Sequence, residues 1–252
     1  HAPGVFEQNQ AIKSFAMPEP AGVFVCHRHM VYGSGRIQKN RRVLYKRMWM
    51  VDVDNYNENR GIYSPLIEHN GVVCGYWLMG NNYQNPSKYY GAYPPSYLKR
   101  IQLLFPREFR SGLILHCFSG EVELVGTPEE RARQVRFDIN GSLTHAPDVV
   151  GDAAQLSQYF EEGTFDLILA DPPYGDNHVK YGTKPVNKKK VVQECSKVLK
   201  DGGTLVWLDT IMPMWAKADG WKLRGTIGMC QSTNHQTRLV TILEQEYARR
   251  TR

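Results

Sequence analysis

The chain has 252 residues, of which 42% are hydrophobic and 22% charged, a composition that excludes a disordered or fibrous protein. This length holds one large α/β domain, or one domain of ordinary size with a smaller module. The net charge of +6 is typical of a protein with a polyanionic partner, although a solvated basic surface gives the same balance.

The first third of the chain is irregular in pattern. Residues 1–86 are rich in Asn, Gly, Tyr and Arg, with strand-like runs at Val43–Val53 and Val72–Met79. From residue 87 onward, helical and strand patterns alternate regularly. This change predicts an accessory region over residues 1–86 and a separate domain over residues 87–252.

The second region contains the predicted helices and most of the predicted strands. Pro95–Phe105 predicts a helix with proline in its first turn. Thr127–Glu130 has the pattern of a capping box that begins a second helix. A longer helix is predicted by apolar residues that share one face, namely Val191, Val192, Cys195, Val198 and Leu199, and we expect Gly202 and Gly203 to end it. A short helix is predicted after Ala153, and strands at Leu113–Phe118, Val135–Ile139, Phe165–Ala170, Thr204–Leu208, Trp221–Met229 and Arg238–Leu243.

The order of these elements predicts the fold class. Strands that alternate with helices form a mostly parallel sheet covered on both faces. The last two strands are joined by Ser232–His235, a connection typical of an antiparallel hairpin. Ligands of such α/β sheets bind at the carboxyl ends of the strands. The polar residues at or beside such ends are Ser119, Gly120, Asp138, Asp152 and Asp171.

One tetrapeptide at such an end has recognisable chemistry. The apolar run Leu167–Ala170 leads directly into Asp171-Pro172-Pro173-Tyr174, which arises by chance in about one chain in a thousand of this length. An exocyclic amine of adenine or cytosine is a poor nucleophile because its lone pair is delocalised into the ring. Asp171 and the Pro172 carbonyl, held rigidly by the two prolines, can accept both amine hydrogens and return electron density to the nitrogen.

Tyr174 completes the predicted catalytic group. Its flat face suits a stacked base, an interaction worth roughly 1–3 kcal/mol, and the base must leave the duplex to reach it. The alternative without a catalytic role is a strand followed by a proline turn with a surface tyrosine. The predicted catalytic residues are Asp171, Pro172, Pro173 and Tyr174.

The tetrapeptide resembles the motif of the S-adenosylmethionine-dependent amino-methyltransferase family, in which the acidic form is most often associated with adenine N6. The resemblance covers roughly residues 87–245. It implies a Rossmann-like methyltransferase fold, with a mostly parallel seven-stranded sheet that ends in a C-terminal antiparallel hairpin. It also implies S-adenosylmethionine as cofactor and DNA as the partner, with RNA as a second candidate.

Further segments occur in the order of that family. Tyr93–Leu98 resembles the element that holds the methionine end of the cofactor, and Phe118–Gly120 resembles the Phe-x-Gly core of the cofactor loop. Asp138 stands where the family places a ribose-binding acid, and Gly151–Ala153 resembles the segment that binds the cofactor's adenine amino group. The cofactor-binding residues implied are Tyr93, His116, Cys117, Phe118, Ser119, Gly120, Asp138, Ile139, Asp152, Ala153 and Asp171.

The cofactor loop departs from the family pattern. His116-Cys117 replaces the family's leading acid or amide and proline, and no second glycine follows Gly120. The contact to the methionine amino group is therefore open. The backbone carbonyls of His116 and Phe118 and the carboxylate of Glu121 are the alternatives.

Two basic segments are candidates for contact with nucleic acid. One begins after Gly33–Gly35, and the other lies in the loop 175–187 that follows the catalytic motif. Because no recognition domain interrupts the motifs, we expect contacts mainly with phosphates. The candidate residues are Arg36, Lys39, Arg41, Arg42, Lys180, Tyr181 and Lys184.

The interpretation that these motifs favour is methylation of adenine N6 in DNA after base flipping. Alternatives with the same acceptor chemistry are cytosine N4, an RNA base and a protein glutamine. A different class of protein is also open, namely a catalytically silent methyltransferase-like subunit that binds nucleic acid beside an active partner. Asp171 counts against the glutamine and silent-subunit alternatives, because the former typically has Asn there and the latter usually loses the acid.

The five cysteines are odd in number and widely spaced, which argues against a disulfide framework and favours a reducing compartment. No apolar run approaches the roughly 20 residues of a membrane-spanning helix, and no signal-peptide pattern opens the sequence. We therefore expect a soluble cytoplasmic protein without a membrane partner. Cys26, His27 and His29 with distant Cys74 lack a second pair of zinc ligands, so we expect no metal.

Overall fold

One mixed sheet runs through the described part of the chain. The computed structural model describes residues 51–80, 91, 93–231 and 237–246. Its strands are β1 (Leu66–His69), β2 (Val72–Met79), β3 (Ile114–Cys117), β4 (Gln134–Asp138), β5 (Val149–Val150), β6 (Phe165–Ala170), β7 (Leu199–Asp209), β8 (Trp221–Gln231) and β9 (Thr237–Gln245). Its helices are α1 (Val53–Asn59), α2 (Tyr97–Leu104), α3 (Pro106–Ser111), α4 (Pro128–Arg131), α5 (Asn177–Lys180) and α6 (Lys188–Val198), with short 3-10 helices at Ala153–Gln158 and Lys217–Asp219.

The nine described strands lie in the order β1-β2-β8-β9-β7-β6-β3-β4-β5. The pairs β2–β8, β3–β4, β3–β6, β4–β5 and β6–β7 are parallel, and the pairs β1–β2, β7–β9 and β8–β9 are antiparallel. The predicted mostly parallel sheet with a final antiparallel pair is confirmed. The predicted number of seven strands is corrected to nine, because β1 and β2 extend the sheet beyond β8.

β1 and β2 come from the region that the sequence predicts to be accessory. β2 pairs in parallel with β8. Trp77 of β2 is fully buried, with its ring 6.1 Å from that of Tyr56 and 6.3 Å from that of Tyr97. This part of the predicted accessory region therefore shares a core with the predicted domain. A boundary at residue 86 stays a prediction, since residues 81–90 lie outside the described ranges.

β6 shows why the sheet is covered on both faces. All six of its residues are buried. Leu167 and Leu169 belong to a core with α1, α2 and α3, whereas Ile168 and Ala170 belong to a second core with α6. Because successive side chains of a strand point to opposite faces, one apolar run supplies both cores. The result is a three-layer arrangement of helices, sheet and helices.

Two sequence predictions of local structure are wrong. Val53, the last residue of the predicted strand Val43–Val53, begins α1 instead, where Asp52 caps the helix by accepting the Asn55 N–H at 2.9 Å. Val51 and Asp52 of that predicted strand form no strand either, and its residues 43–50 lie outside the described residues. Gly202 and Gly203 do not end α6, which already ends at Val198; they lie within β7. The predicted strands Val72–Met79 and Phe165–Ala170 have the predicted ends. The other predicted helices and strands are present with shifted ends, and the capping box at Thr127 is present.

The strand directions define the edge of the sheet at which the site lies. β3, β4, β6 and β7 are mutually parallel, so their carboxyl ends lie side by side. β9 is antiparallel to β7, and Asp209 at the end of β7 pairs with Leu239 near the start of β9. Arg238 therefore joins the carboxyl edge, where ligands of α/β sheets bind.

Candidate active site

The motif at the end of β6 places an acid and a phenol in contact. The Asp171 N–H donates to the Cys117 carbonyl at the end of β3, at 3.4 Å, which fixes the start of the motif beside the neighbouring strand. The Tyr174 hydroxyl donates a hydrogen bond to Asp171 Oδ1. No residue in the described part of the chain donates to the Pro172 carbonyl. Two acceptors therefore lie next to each other, one of them already bonded to a tyrosine.

Two cations and a second carboxylate lie around this pair. The Arg238 guanidinium carbon lies 4.8 Å from the centre of the Tyr174 ring. Lys188 Nζ lies 2.6 Å from Asp209 Oδ2, and Asp209 is fully buried. All three charged groups act electrostatically on the Asp171 carboxyl group. The acid therefore lies in a site whose charges nearly balance.

Burial raises the pKa of Asp171 to about 7. The hydrogen bond from Tyr174 and the positive charges of Arg238 and Lys188 oppose this rise, while the charge of Asp209 adds to it. Burial also raises the pKa of Tyr174 well above its ordinary value, and the nearby carboxylate raises it further. At neutral pH, Tyr174 is therefore a neutral donor and Asp171 is close to its titration midpoint.

Two tyrosines from the segment before and within α2 pack against the same site. The Tyr93 hydroxyl donates to the Leu169 carbonyl at 3.3 Å, and its ring stacks on Tyr97 at a centroid distance of 5.0 Å. The Tyr97 hydroxyl is buried without a hydrogen-bond partner among the described residues. Burial raises the pKa of Tyr97 well above its ordinary value, and the charge of Asp171 adds to the rise. A buried hydroxyl without a protein partner is free to bond a water molecule or a ligand group.

The predicted cofactor loop is a tight turn. Phe118 and Gly120 have φ angles of 62° and 51°, in the left-handed region. A Cβ at Gly120 would collide with the Gly91 carbonyl, so glycine is required both for the backbone angle and for the close approach. The Ser119 hydroxyl is buried and has no partner among the described residues. The loop therefore carries a second unsatisfied polar group near the carboxyl edge.

Asp138 holds this loop from the end of β4. Its Oδ2 accepts the Gly120 N–H and its Oδ1 accepts the Asn140 N–H, both at 2.9 Å. A carboxylate offers about four acceptor positions, so the half-buried Asp138 retains capacity for hydroxyl donors. The predicted ribose-binding role of Asp138 stays a prediction, and the geometry adds a structural role that sequence reasoning did not assign.

The segment after β5 lies beside Asp138. The Gly151 N–H donates to the Asp138 carbonyl at 2.9 Å. Asp152 is exposed and caps the 3-10 helix through the Ala154 N–H at 2.9 Å, whereas Ala153 is buried. The Ile139 side chain is 55% exposed. An exposed apolar side chain next in sequence to the Asp138 carboxylate suits contact with a flat heterocycle.

The side chains of His116 and Cys117 lie in the interior rather than in the loop. His116 Nε2 lies 3.1 Å from Gln134 Oε1, and burial lowers the pKa of His116 to about 4. Cys117 packs in the core that contains α6. Only the backbone of these two residues is available to a ligand at the carboxyl edge.

Glu121 is also occupied. Its carboxylate accepts the backbone N–H groups of Thr144 at 2.8 Å and His145 at 2.9 Å. Burial alone would raise the pKa of Glu121, but these hydrogen bonds outweigh it and hold the pKa below the ordinary value. Of the three alternatives for the methionine amino group, the Glu121 carboxylate is therefore already occupied, which leaves the backbone carbonyls of His116 and Phe118.

The predicted nucleic-acid-binding residues are described only in part. Lys184 is exposed and Tyr181 is half-buried, in the loop that leaves the carboxyl end of β6. Lys180 ends α5 in the same loop. Arg36, Lys39, Arg41 and Arg42 lie outside the described residues. Within the described ranges there is neither a group of three or more potential metal-ligating side chains nor a helix long and apolar enough to cross a bilayer.

Sequence reasoning missed Lys188, Asp209 and Arg238. Asp209 carries the same signal that selected Asp138 and Asp171, an acid at the end of an apolar strand, and could have been found. Lys188 begins a run of three lysines, Lys188–Lys190, in which no local signal distinguishes it from its neighbours. Nothing local to Arg238 indicates its place, which depends on the antiparallel pairing of β9 with β7.

No protein-family model and no curated protein matches the chain. Similar solved structures include TrmN from Thermus thermophilus, at 19% identity over 52% of this chain and 43% of that chain, with a TM-score of 0.33. A SAM-dependent methyltransferase from Methanosarcina mazei is similar at 13% identity over 54% of this chain and 93% of that chain, with a TM-score of 0.37. The chain spans less than half the length of TrmN.

A further similar structure is the 1,6-didemethyltoxoflavin-N1-methyltransferase of Burkholderia thailandensis, solved with bound 1,6-didemethyltoxoflavin and S-adenosylhomocysteine. It shares 12% identity over 57% of this chain and 75% of that chain, with a TM-score of 0.37.

Proposed function

We propose that the chain is an S-adenosylmethionine-dependent methyltransferase that modifies the exocyclic amino group of a nucleic-acid base, with adenine N6 in DNA as the first candidate. One observation carries the proposal: directly after the carboxyl end of β6, the Asp171 carboxylate is hydrogen-bonded by the hydroxyl of Tyr174, and Pro172 is the residue next to that acid. Hydrogen-bond acceptors beside a flat ring suit a planar amine, and the carboxyl edge is where α/β sheets bind ligands.

The residues next to the acceptors fit the cofactor. The unpartnered Ser119 hydroxyl suits a polar group of the methionine end, and Asp138 has unused acceptor positions for ribose hydroxyls. Exposed Ile139 offers an apolar surface to an adenine ring. When bound, S-adenosylmethionine supplies an electrophilic methyl group. These features support a cofactor that lies along the ends of β3 and β4, with its reactive end towards β6.

Asp171 performs two tasks in this proposal. As an ionised acceptor it binds one amine hydrogen while the Pro172 carbonyl binds the other, which pulls the nitrogen away from planar geometry. As the carbon–nitrogen bond forms and the carbon–sulfur bond breaks, the nitrogen loses a proton, which Asp171 accepts and passes to solvent. The Asp171 pKa of about 7 suits both tasks, because a general base works best near the ambient pH.

Tyr174 exchanges partners in the same proposal. Its hydroxyl occupies Asp171 Oδ1 before substrate is bound. An incoming amine replaces the phenol on that oxygen, and the ring then stacks on the base, for roughly 1–3 kcal/mol. The hydrogen bond thus keeps the buried carboxylate satisfied until the substrate arrives.

A nucleic-acid substrate is supported by charge rather than by a recognised binding domain. The chain carries a net charge of +6, and exposed Lys184 lies in the loop after the catalytic motif. Lysines at such an edge can bind phosphates and position a flipped nucleotide without reading its sequence. DNA with little sequence preference is the substrate that we propose.

The test is direct methylation. The purified chain is incubated with S-adenosylmethionine and, separately, unmethylated plasmid DNA, single-stranded DNA and unmodified RNA, followed by nucleoside mass spectrometry. N6-methyladenine in DNA is the expected product, and Asp171→Asn is the matched inactive control. N4-methylcytosine, or product in RNA alone, would correct the base or the polymer. Cofactor binding without any product would identify a silent subunit, and absence of cofactor binding would refute the proposal.

A further inference from the structure

We propose that Arg238 is a positioning residue of the acceptor site: its guanidinium holds the Tyr174 ring against Asp171 and keeps that carboxylate ionised near neutral pH. The catalytic part of this inference rests on the proposed function. The interaction between Arg238 and Asp171, in contrast, is a property of the folded chain and can be tested without any substrate.

Arg238 reaches the site because of strand direction. It lies near the start of β9, opposite Met229 near the end of β8, and next to Leu239, which pairs with Asp209 at the end of β7. The start of β9 therefore lies at the edge where β6 and β7 end. At 4.8 Å from the ring centre, the guanidinium of Arg238 is within cation–π range of Tyr174.

The contacts form a short chain from cation to acid. The guanidinium lies over the Tyr174 ring, and the hydroxyl of the same ring donates to Asp171. A planar guanidinium stacks on an aromatic face in a way that a lysine ammonium cannot reproduce. Arg238 thus limits where the ring can lie while its hydroxyl bonds the carboxylate.

The other charged and titratable groups that face Asp171 come from three more elements. β7 contributes the Asp209 carboxylate, and α6 contributes Lys188, which is 2.6 Å from Asp209. The segment that leads into α2 contributes neutral hydroxyls. Because Lys188 and Asp209 are opposite charges in direct contact, their effects on Asp171 largely cancel. Arg238 is then the cation that offsets the cost of ionising Asp171 in a buried place.

The charge of Arg238 predicts a specific pH effect. Burial raises the pKa of Asp171, and the positive charge of Arg238 lowers it. Removal of that charge therefore raises the pKa further, so that more of the acid is protonated at neutral pH. A protonated acid cannot accept the amine hydrogen, and turnover should fail first on the acidic side of the pH profile.

The kinetic test compares Arg238→Gln, Arg238→Lys and Lys222→Gln in pH profiles of kcat. Lys222 is a matched control: it lies at the start of β8, at the opposite edge of the sheet, and pairs with Glu246 at 3.2 Å. In Arg238→Gln, the acidic limb should move upward by about one pH unit, so that the loss of kcat is roughly sixfold greater at pH 6.5 than at pH 8.5. Arg238→Lys should restore part of the shift, and Lys222→Gln should show none.

A different kinetic result would overturn the positioning role. If Arg238→Gln lowers activity equally at both pH values and acts through KM, Arg238 binds a substrate phosphate instead. If it leaves both kcat and the pH profile unchanged, the contact with Tyr174 has no part in catalysis.

The substrate-free test is a double-mutant cycle on the free energy of unfolding, with Arg238→Gln and Asp171→Asn at pH 5.5 and pH 8.5. Coupling should be present at pH 8.5, where Asp171 is ionised, and absent at pH 5.5, where it is protonated. Equal coupling at both pH values, or none, would refute the inference. Coupling at pH 8.5 in a chain that methylates no substrate would leave this inference standing while the proposed function fails.

Discussion

The Tyr174 hydroxyl donates to the carboxylate of Asp171, so the aromatic ring and the acid of the motif act as one unit. The bond satisfies one oxygen of a buried acid and lowers the pKa that burial raises. It also blocks one of the positions at which a substrate amine would bind. Substrate binding therefore requires this hydrogen bond to be exchanged, and variants of Tyr174 should separate its two roles.

Tyr174→Phe keeps the ring and removes the hydrogen bond. Since that bond stabilises the ionised acid before substrate binds, its loss raises the pKa of Asp171 in the free enzyme and should shift the acidic limb of the kcat/KM profile to higher pH. At pH 8.5 activity should stay close to that of the parent. Tyr174→Ala removes the stacking surface as well and should lose roughly tenfold or more at every pH. If both variants lose the same fraction of activity at every pH, the Tyr174 hydroxyl acts directly on the substrate.

Asp171→Asn should abolish methylation, with a loss of about 100-fold or more, while cofactor binding stays intact. Asn keeps the size of the side chain but cannot take up the proton. Isothermal titration with S-adenosylmethionine and single-turnover methylation measure the two properties separately. An active Asn variant would show that the amine is activated without this carboxylate, whereas loss of cofactor binding would move Asp171 from the acceptor site to the cofactor site.

The same variant has a stability signature. The folded-state pKa of Asp171 is about 7, above the unfolded value near 4. The folded state therefore binds the proton more tightly, and stability present below pH 4 is lost as pH rises through 7. The Asn side chain does not ionise, so Asp171→Asn should not show this loss of stability. In urea unfolding, the stability of the variant relative to the parent should therefore be higher at pH 8 than at pH 5. An equal difference at both pH values would mean that ionising Asp171 costs nothing in the fold.

Asp138→Ala should weaken cofactor binding. The carboxylate organises the loop through Gly120 and offers charge-assisted hydrogen bonds to ribose hydroxyls. Such bonds are worth about 1.5–3 kcal/mol, which corresponds to roughly a 10- to 100-fold rise in the dissociation constant. Asp148→Asn is the matched control, because its carboxylate is partly exposed beside Arg136 and is assigned no ligand. An unchanged constant in Asp138→Ala would limit Asp138 to holding the loop.

Arg41→Ala with Arg42→Ala should weaken DNA binding to all sequences about equally. These residues lie outside the described ranges, so the prediction depends on the basic sequence pattern. Each lost phosphate contact should reduce the slope of log K against log salt by about 0.9. Fluorescence anisotropy at several salt concentrations measures the slope. A changed sequence preference with an unchanged slope would mean that this segment reads bases directly.

The sequence pattern was sufficient to predict the secondary-structure elements that neighbouring residues determine. The apolar run of Phe165–Ala170 predicted β6 with its ends correct, and the prolines after Asp171 marked where the strand stops. The capping box at Thr127 likewise predicted the start of α4. The acids at strand ends then followed from strand direction alone.

Contacts between segments that are distant in the chain could not be predicted from local sequence pattern. β2 pairs in parallel with β8 although the two strands are far apart in the chain. This pairing adds β1 and β2 to the sheet, which therefore has nine described strands instead of the predicted seven. Arg238 meets Tyr174 only because β9 inserts between β7 and β8. Gly91 covers Gly120 in the same non-local manner. Periodicity describes which face of an element is apolar, but it does not specify the neighbour of that face.

Gly120→Ala should affect cofactor binding more than its backbone cost explains. Alanine at φ 51° costs about 1–2 kcal/mol of stability, and its Cβ would also displace the Gly91 backbone from the loop. Gly163→Ala is the matched control, since Gly163 has φ 67° but nothing within 4 Å of an added Cβ. Both variants should lose similar stability through the backbone angle, whereas only Gly120→Ala should also weaken S-adenosylmethionine binding in calorimetry. Equal cofactor affinity in the two variants would remove residues 118–120 from the cofactor site.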